Sequence, residues 1–297
     1  MTGNPSTIDK SGPFVPWEWR LAHGSTITLG PRAVIMGILN VTPDSFSDGG
    51  RHTTVDSAVS HALQMVTDGA DIIDIGGEST RPAAEPVDAQ EEQDRVLPVI
   101  EALAARSDVL ISIDSRRAET ARLAVRAGAH IINDVEGLQG DPDMADTVAA
   151  TGAGVVAMHT GRGREKRTDP LADQRFFVSQ TIRLATDAGV EADRLVLDPG
   201  FGFAKTPVEN FTLLDKFGEL HALGYPLLIG TSRKRFLGKA TGRKAEDRDI
   251  ASIASAVMLR QAGAAIFRVH DVAGHNDALS VCDAARQPCL FDLSGEA

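Results

Sequence analysis

The stretch AVIMGILNVTPDSFSDGG (residues 33–50) joins a short apolar run to a polar loop, and this junction decides the fold. Residues 33–39 predict a buried strand, because the run is short, partly β-branched and bounded by turn residues. Residues 40–50 follow directly with an amide, hydroxyl groups, two carboxylates and a glycine pair that no helix would carry. Polar, bendable loops on rigid elements are where chemistry usually lies. The stretch therefore predicts a strand that delivers functional side chains at its end.

Seven further apolar runs follow, separated by alanine-rich amphipathic stretches. The runs are residues 72–75, 109–113, 130–132, 155–158, 195–197, 226–229 and 266–269. Helical patterns include residues 55–67, 89–104, 117–126 and 249–261, and several such stretches end in glycine before the next strand. Strict alternation predicts parallel strands with crossover helices. Eight units predict an α/β fold, the (β/α)8 TIM barrel. A doubly wound open sheet is the alternative, but no Gly-x-Gly-x-x-Gly follows an early strand.

The barrel accounts for most of the 297 residues. We expect residues 31–290 to form a single (β/α)8 domain, since such barrels need about 250 residues. Residues 1–30 are expected to be an N-terminal extension. Its first dozen residues would be disordered, and its alternating segment would form a short hairpin across the bottom of the barrel.

Composition limits the partners and the compartment. The net charge of -11 argues against nucleic acid or an anionic membrane as a partner, since both require a basic face. Cys282 and Cys289 are the only cysteines, too few for a disulfide framework or a cysteine metal site. No apolar run approaches the roughly 18 residues of a membrane span. These features predict a cytoplasmic protein whose anionic ligands are held by a local basic cluster.

Each predicted strand runs into a residue that can hydrogen-bond or carry charge. Barrel enzymes collect their chemistry at the carboxyl ends of their strands. A single strand-end Asp or Asn often only caps the following helix, but eight polar exits from eight strands predict a shared site. In chain order they are Asn40, Glu78, Asp114, Asn133, His159, Asp198, Ser232 with Lys234, and His270.

Five motifs resemble the signatures of the dihydropteroate synthases, in that family's order. They are NVTPDSFSDGG (40–50), GESTRP (77–82), DPGFGFAK (198–205), SRKR (232–235) and RVH (268–270). The resemblance implies a homodimeric transferase of folate biosynthesis and a target of sulfonamides. It would condense 6-hydroxymethyl-7,8-dihydropterin diphosphate with 4-aminobenzoate to give 7,8-dihydropteroate and diphosphate, by dissociative substitution. The catalytic residues implied are Asn40, Asp114, Asp198, Lys234, Arg268 and His270.

For the pterin, the resemblance implies a hydrogen-bonded pocket with apolar walls. Asp198 would accept the two parallel N–H donors of the pyrimidine edge, much as a carboxylate accepts an arginine fork. An alternative for Lys234 is a buried ion pair with an aspartate that serves only stability. The implied pterin-binding residues are Asp114, Asn133, Met158, Asp198, Phe203 and Lys234.

For the diphosphate, the resemblance implies cations near the last two strands, where barrel enzymes commonly bind anions at a helix N-terminus. Mg²⁺ would add counter-charge, with Asn40 as its protein ligand. The sequence has no dedicated cage of carboxylates, so the ion would arrive with the diphosphate. An alternative for His270 is a hydrogen-bonded core histidine. The implied residues are Asn40, Thr80, Arg81, Arg268 and His270.

For the aminobenzoate, the resemblance implies a pocket that borrows residues from two loops, 42–51 and 80–87, which would close over the reaction. The implied residues are Phe46, Thr80, Pro82, Ser232, Arg233 and Lys234. The basic run at residues 161–167 is interpreted as a solvated loop. Two rival functions stay open: a pterin-binding methyltransferase domain, and a non-catalytic pterin-binding paralogue.

Overall fold

The computed structural model describes residues 12–41, 51–78 and 87–293, with the backbone alone for residues 51–54. The expected disorder of the first dozen residues falls on residues 1–11, outside this description. The strands are β1 (Trp17–Arg20), β2 (Thr26–Leu29), β3 (Val34–Asn40), β4 (Ile72–Gly76), β5 (Leu110–Asp114), β6 (Ile131–Asp134), β7 (Gly154–Met158), β8 (Leu195–Asp198), β9 (Leu228–Ile229) and β10 (Ile266–Val269). The helices are α1 (Arg51–Thr67), α2 (Ala89–Ala104), α3 (Ala118–Ala127), α4 (Met144–Thr151), α5 (Pro170–Asp187), α6 (Pro207–Asp215), α7 (Arg235–Thr241), α8 (Asp249–Gln261) and α9 (Val272–Arg286).

Strands β3 to β10 form one parallel sheet in the order β8-β7-β6-β5-β4-β3-β10-β9. A parallel bridge between Leu197 and Leu227 joins its two edges, and the Leu197 amide donates to the Pro226 carbonyl at 3.0 Å. The sheet is therefore a barrel, and the predicted (β/α)8 fold is confirmed. β9 is shorter than its predicted run because Pro226 has no N–H to donate to a ladder.

The barrel strands are buried on both faces, which explains their nearly continuous apolar sequences. One set of side chains packs outward against the helices, for example Ile35, Ile73 and Phe267. The other set fills the amino-terminal half of the barrel interior. That second cluster contains Val34, Met36, Ile72, Ile131, Val156, Val196, Leu228 and Ile266.

A short antiparallel hairpin, β1 with β2, closes this amino-terminal end. Trp17 pairs with Leu29 and Arg20 with Thr26. The fully buried ring of Trp19 joins the interior apolar cluster, and its indole N–H donates to the Arg194 carbonyl at 2.8 Å. The boundary of the barrel domain at residue 31 stays a prediction.

Local signals set the helix ends. α3 and α4 stop at Gly128 and Gly152, whose φ values of 120° and 66° favour glycine, as the sequence predicted. α6 starts with a capping box, in which Thr206 and Glu209 bond each other's backbone N–H groups. Within the described residues, no helix is both long and apolar enough to cross a membrane.

Candidate active site

The predicted site residues lie at the carboxyl ends of neighbouring barrel strands. The register of the sheet places Asp114 of β5 beside Asn133 of β6, and Met158 of β7 beside Asp198 of β8. Asn133, Met158 and Asp198 are buried. Since parallel strands end at the same edge of a sheet, barrel closure gathers these groups at one mouth.

Arg268 of β10 forms the central ion pairs of this mouth. Its Nε donates to Oδ2 of Asp74 and its Nη2 donates to Oδ2 of Asp114, both at 2.6 Å. Asn133 also donates to Oδ2 of Asp74, at 3.1 Å. Arg268, which was predicted to bind the diphosphate, is thus bonded directly to Asp114, which was predicted to bind the pterin.

Asp74 was not among the predicted site residues, although the sequence carries a signal for it. It is the one charged residue inside the apolar run of residues 72–75, and its side chain is fully buried. A buried carboxylate requires a partner, and Arg268 supplies it. Among the described residues, Asp74 Oδ1 and the neighbouring Ser112 hydroxyl have no hydrogen-bond partner. The barrel interior below the mouth is therefore polar and incompletely satisfied.

Burial shifts the ionisation of the Asp114 and Arg268 pair. Burial raises the pKa of Asp114 to about 7, with Arg268 opposing the shift and Asp74 adding to it. Burial alone would lower the pKa of Arg268, but the carboxylates of Asp74 and Asp114 raise it above its usual value. The guanidinium therefore keeps its charge, while burial opposes the charged form of Asp114.

Asp198 and Lys234 lie nearby with opposite shifts. Burial raises the pKa of Asp198, against the Gly200 N–H that donates to its Oδ1 at 2.7 Å. Burial and then the charge of Arg268 lower the pKa of Lys234 to about 8, against the attraction of Asp198 and Asp114. Within the described residues Lys234 has no carboxylate within 4.0 Å, so the geometry disfavours the alternative of a stabilising ion pair.

Phe203 presents a flat apolar ring beside these charges. Lys234 Nζ lies 4.2 Å and Arg162 Cζ 4.9 Å from the centre of the ring. Both distances are within range for cation–π attraction. Met158 lies beside the loop that follows β8, which contains Gly200 and Phe203. Its Cγ would lie 3.2 Å from a Cβ placed on Gly200.

The interpretation of residues 161–167 as a solvated loop is correct only in part: the segment is a loop in which Arg162, Glu165 and Arg167 are exposed, but Arg164 and Lys166 are partly buried. Arg164 donates to both oxygens of Asp173, at 2.9 and 2.7 Å. Lys166 bonds Glu209 at 2.7 Å. Arg164 pairs with a carboxylate only 9 residues away, at the start of α5, whereas Lys166 pairs with one of α6 that lies 43 residues away and that the run alone could not reveal. Its member Arg162 is a further site residue that sequence reasoning missed.

Ser232 and His270 meet where β9 and β10 end. The Ser232 hydroxyl and His270 Nδ1 lie 2.9 Å apart, and the His270 amide donates to the same hydroxyl at 3.2 Å. Arg233, between Ser232 and Lys234, has a φ of 56° and points toward α8. Its Nε and Nη2 donate to the two oxygens of Asp249 at 2.7 and 2.9 Å.

The remaining candidates divide into described and undescribed ones. Asn40 is exposed at the end of β3, beside Gly76. The described part of the chain contains no group of three or more His, Cys, Asp or Glu side chains that could hold a metal ion. Four predicted residues lie outside the described residues: Phe46, Thr80, Arg81 and Pro82.

Comparison with known proteins shows clear similarity over most of the chain. A family model described as "Pterin binding enzyme" matches residues 36–270. A dihydropteroate synthase from Bacillus subtilis is 45% identical over 248 residues, which cover 84% of this chain and 87% of the relative. A crystal structure of dihydropteroate synthase from Clostridium difficile, determined with pteroic acid, has a TM-score of 0.84 at 44% identity, covering 86% of this chain and 98% of that one. A Xanthomonas albilineans dihydropteroate synthase with 4-aminobenzoic acid has a TM-score of 0.85 at 45% identity, covering 91% and 99%.

Proposed function

The chain belongs to the pterin-binding enzymes and, within them, to the dihydropteroate synthases, and we propose that its strand ends divide that reaction among three subsites. The enzyme is a transferase that joins the pterin methylene carbon to the amine of 4-aminobenzoate and releases diphosphate. The reaction requires a held pterin, a stabilised leaving group and an aligned weak nucleophile.

The pterin subsite consists of Asp114, Asn133, Met158, Asp198, Phe203 and Lys234. Burial has removed water from the carboxylates of Asp114 and Asp198, and this raises the pKa of both. The ring N–H and the exocyclic amine of a pterin would donate in parallel to the Asp198 carboxylate and so replace the hydrogen bonds that water would otherwise make. Phe203 supplies apolar surface for the flat ring, with Lys234 at its face.

The diphosphate subsite consists of Asn40, Arg268 and His270, together with Thr80 and Arg81 from beyond the described residues. The observation that carries this division is the Arg268 fork, which keeps its charge while it grips Asp74 and Asp114. Helix α9 begins two residues after His270, and the Asp271 carboxylate caps its N-terminus by accepting from the Gly274 N–H. An anion bound here would lie beside the pterin, because Arg268 bonds Asp114 of the pterin subsite.

The aminobenzoate subsite consists of Ser232, Arg233 and Lys234, with Phe46, Thr80 and Pro82 from beyond the described residues. The hydrogen bond between Ser232 and His270 puts the aminobenzoate subsite next to the diphosphate subsite. No strong general base is required, because an aryl amine is already neutral at pH 7. In the proposed mechanism diphosphate leaves before the amine attacks. The enzyme then accelerates the reaction by stabilising the charge on the leaving diphosphate and by aligning the amine with the methylene carbon.

Mg²⁺ fits the diphosphate subsite as a substrate-borne ion. Mg²⁺ prefers oxygen ligands and keeps contact with substrate phosphates, and the exposed amide oxygen of Asn40 is such a ligand. When bound, the ion would supply counter-charge to the leaving group. Asn40 would orient it from the protein side.

We also propose a homodimer that forms through α6 and α8. These helices contact each other and carry exposed large apolar side chains: Val208, Phe211, Ile250 and Met258. A second copy would cover these side chains, since exposed apolar surface on neighbouring helices often marks an interface. Sedimentation of the wild type and of Ile250→Asp tests the proposal: the variant should be monomeric, and an unchanged mass would refute this interface.

An assay of the condensation of the two substrates tests the activity and the subsites together. The protein is mixed with the pterin diphosphate and 4-aminobenzoate, and diphosphate release is followed with and without Mg²⁺. Loss of turnover without Mg²⁺ supports the ion's role, and unchanged turnover contradicts it. Methyl transfer from a reduced folate would favour the methyltransferase alternative.

We propose a cytoplasmic location as well, supported by the free thiols of Cys282 and Cys289.

A further inference from the structure

Lys205 lies behind the pterin subsite and binds three acceptors with its ammonium group. Its Nζ donates to the Gly200 carbonyl at 2.8 Å, to His159 Nδ1 at 2.9 Å and to the Phe203 carbonyl at 3.5 Å. Gly200 and Phe203 belong to the loop that follows β8, whereas His159 follows β7. The ammonium therefore ties both ends of one active-site loop to the neighbouring strand.

The tied loop is held in a backbone conformation that requires support. Gly200, Gly202 and Ala204 have φ values of 65°, 82° and 51°, and for alanine this left-handed conformation costs about 1–2 kcal/mol. A Cβ on Gly200 would lie 2.0 Å from the His159 carbonyl, so the loop approaches β7 as closely as glycine permits. Such a conformation persists only where surrounding contacts fix it.

The acceptor ring of His159 is itself fixed from behind. Its Nε2 lies 3.0 Å from Oδ2 of Asp173 and 2.9 Å from Nη2 of Arg164, which also donates to Asp173. Burial and then Lys205 lower the pKa of His159 to about 3, so the imidazole is neutral. An ammonium can only donate, so Nδ1 accepts from Lys205 and the proton of the neutral imidazole is on Nε2, where Asp173 can accept it. The network thus presents Nδ1 to Lys205 as a fixed acceptor.

We propose that Lys205 is a positioning residue for pterin binding: it fixes the loop that presents the Asp198 carboxylate and the Phe203 ring. The Gly200 amide orients Asp198, and the Gly200 carbonyl is held by Lys205. The Phe203 carbonyl is held by the same ammonium, and its ring forms the pterin wall. The inference rests on the proposed pterin subsite.

The charge of Lys205 makes the positioning depend on pH. Burial lowers the pKa of Lys205 to about 7, and Lys166 and Lys234 act in the same direction, against Asp198 and Asp173. Below that pH the ammonium has three N–H groups for three acceptors. Above it the amine has two, and Asp198 loses a nearby positive charge. The contribution of Lys205 to pterin affinity should therefore fall as the pH rises through 7, while Asp114 of the same subsite titrates in that range with the opposite effect on pterin binding.

The test compares Lys205→Met with Lys166→Met. Lys166 is a matched control, because it also holds this loop, through the Ala204 carbonyl at 2.7 Å, but not the residues that touch the pterin. Calorimetric titration with hydroxymethylpterin at about pH 6 should show binding weakened by about 10–100-fold in Lys205→Met, the value of one or two charged hydrogen bonds. Lys166→Met should bind nearly as the wild type does. The KM for the pterin diphosphate should rise in Lys205→Met while that for 4-aminobenzoate stays constant.

Lys205→Arg provides a second arm that does not depend on the fold of the methionine variant. Arginine stays protonated, so part of the affinity should return and the loss of affinity between about pH 6 and pH 8 should be smaller than in the wild type. Asp114 and Lys234 still titrate in every variant, so the comparison is between variants at each pH. Equal affinities of Lys205→Met and Lys166→Met, or an unchanged pH profile in Lys205→Arg, would overturn the inference. Asp198→Asn distinguishes failure of the pterin subsite from failure of the role of Lys205. Normal pterin binding by Asp198→Asn would refute the pterin subsite itself. Lost pterin binding by Asp198→Asn together with normal binding by Lys205→Met would refute only the role of Lys205.

Discussion

The two ends of the barrel are made by the same eight strands and have opposite chemistry. At the amino-terminal end, Trp19 packs on an interior layer of aliphatic side chains. At the carboxyl end, Asp74, Asp114, Asp198 and Arg268 place buried or nearly buried charges around a mouth. The first residues of each strand therefore contribute to stability and the last ones to chemistry. Position along the strand, rather than the strand itself, separates the two tasks.

The energetic terms at the two ends differ in sign. Burying one large apolar side chain stabilises the fold by about 1.5–3 kcal/mol. Burying a charge costs free energy unless it is paired, and even paired charges are weak evidence of stabilisation. The unpartnered Asp74 Oδ1 and Ser112 hydroxyl, within the described residues, mark where the mouth accepts that cost. A ligand with matching donors would recover part of it.

The largest expected effect is on stability at the amino-terminal end. Trp19→Ala should lower the free energy of unfolding by about 3–5 kcal/mol, because it empties a fully buried site. Urea denaturation measures this loss, and Trp17→Ala, at a partly exposed position of the same hairpin, should lose less. Pterin affinity of the folded variant should be unchanged. A large loss of pterin affinity would break the separation between the two ends.

Asp198→Asn should show the reverse pattern at the mouth. An amide would present a donor to the pterin amine, so pterin affinity should fall by about 3 kcal/mol. Stability should be equal or higher, since burial raises the pKa of Asp198 and the charged form therefore opposes folding. That cost grows as the pH rises from the ordinary value of 3.8, so the variant's relative stability should be greater at neutral than at acid pH. Calorimetry with pterin and denaturation at both pH values measure these changes; retained pterin affinity would contradict the assignment.

Arg268→Lys should have the smallest effect and sharpens the comparison within the mouth. Lysine keeps a positive charge near Asp74 and Asp114 but loses the fork that bonds both. The affinity for the pterin diphosphate should fall by about tenfold, or 1.4 kcal/mol. The affinity for unphosphorylated hydroxymethylpterin should fall less. Equal losses for the two ligands in parallel titrations would give Arg268 a structural role only.

Much of the site was accessible from the sequence because polar strand ends are a local signal. Asp114, Asn133, Asp198 and His270 each follow an apolar run, and the barrel gathers such positions at one end. Asp74 was missed because it lies inside a strand, where strand-end reasoning does not look. Arg162 was missed because its partner ring, Phe203, is distant along the chain.

The sequence by itself determined the eight strands, the crossover helices, the glycine helix ends and the edge of the sheet at which the candidate site residues lie. These follow from periodicity, propensity and turn chemistry, which act between residues close in sequence. Only the tertiary structure decided that Arg268 grips Asp74 and Asp114, that Arg233 turns to Asp249, and that Lys205 reaches His159. Such contacts join residues far apart in the chain. They depend on sheet register, barrel closure and the removal of water, and no local pattern encodes these.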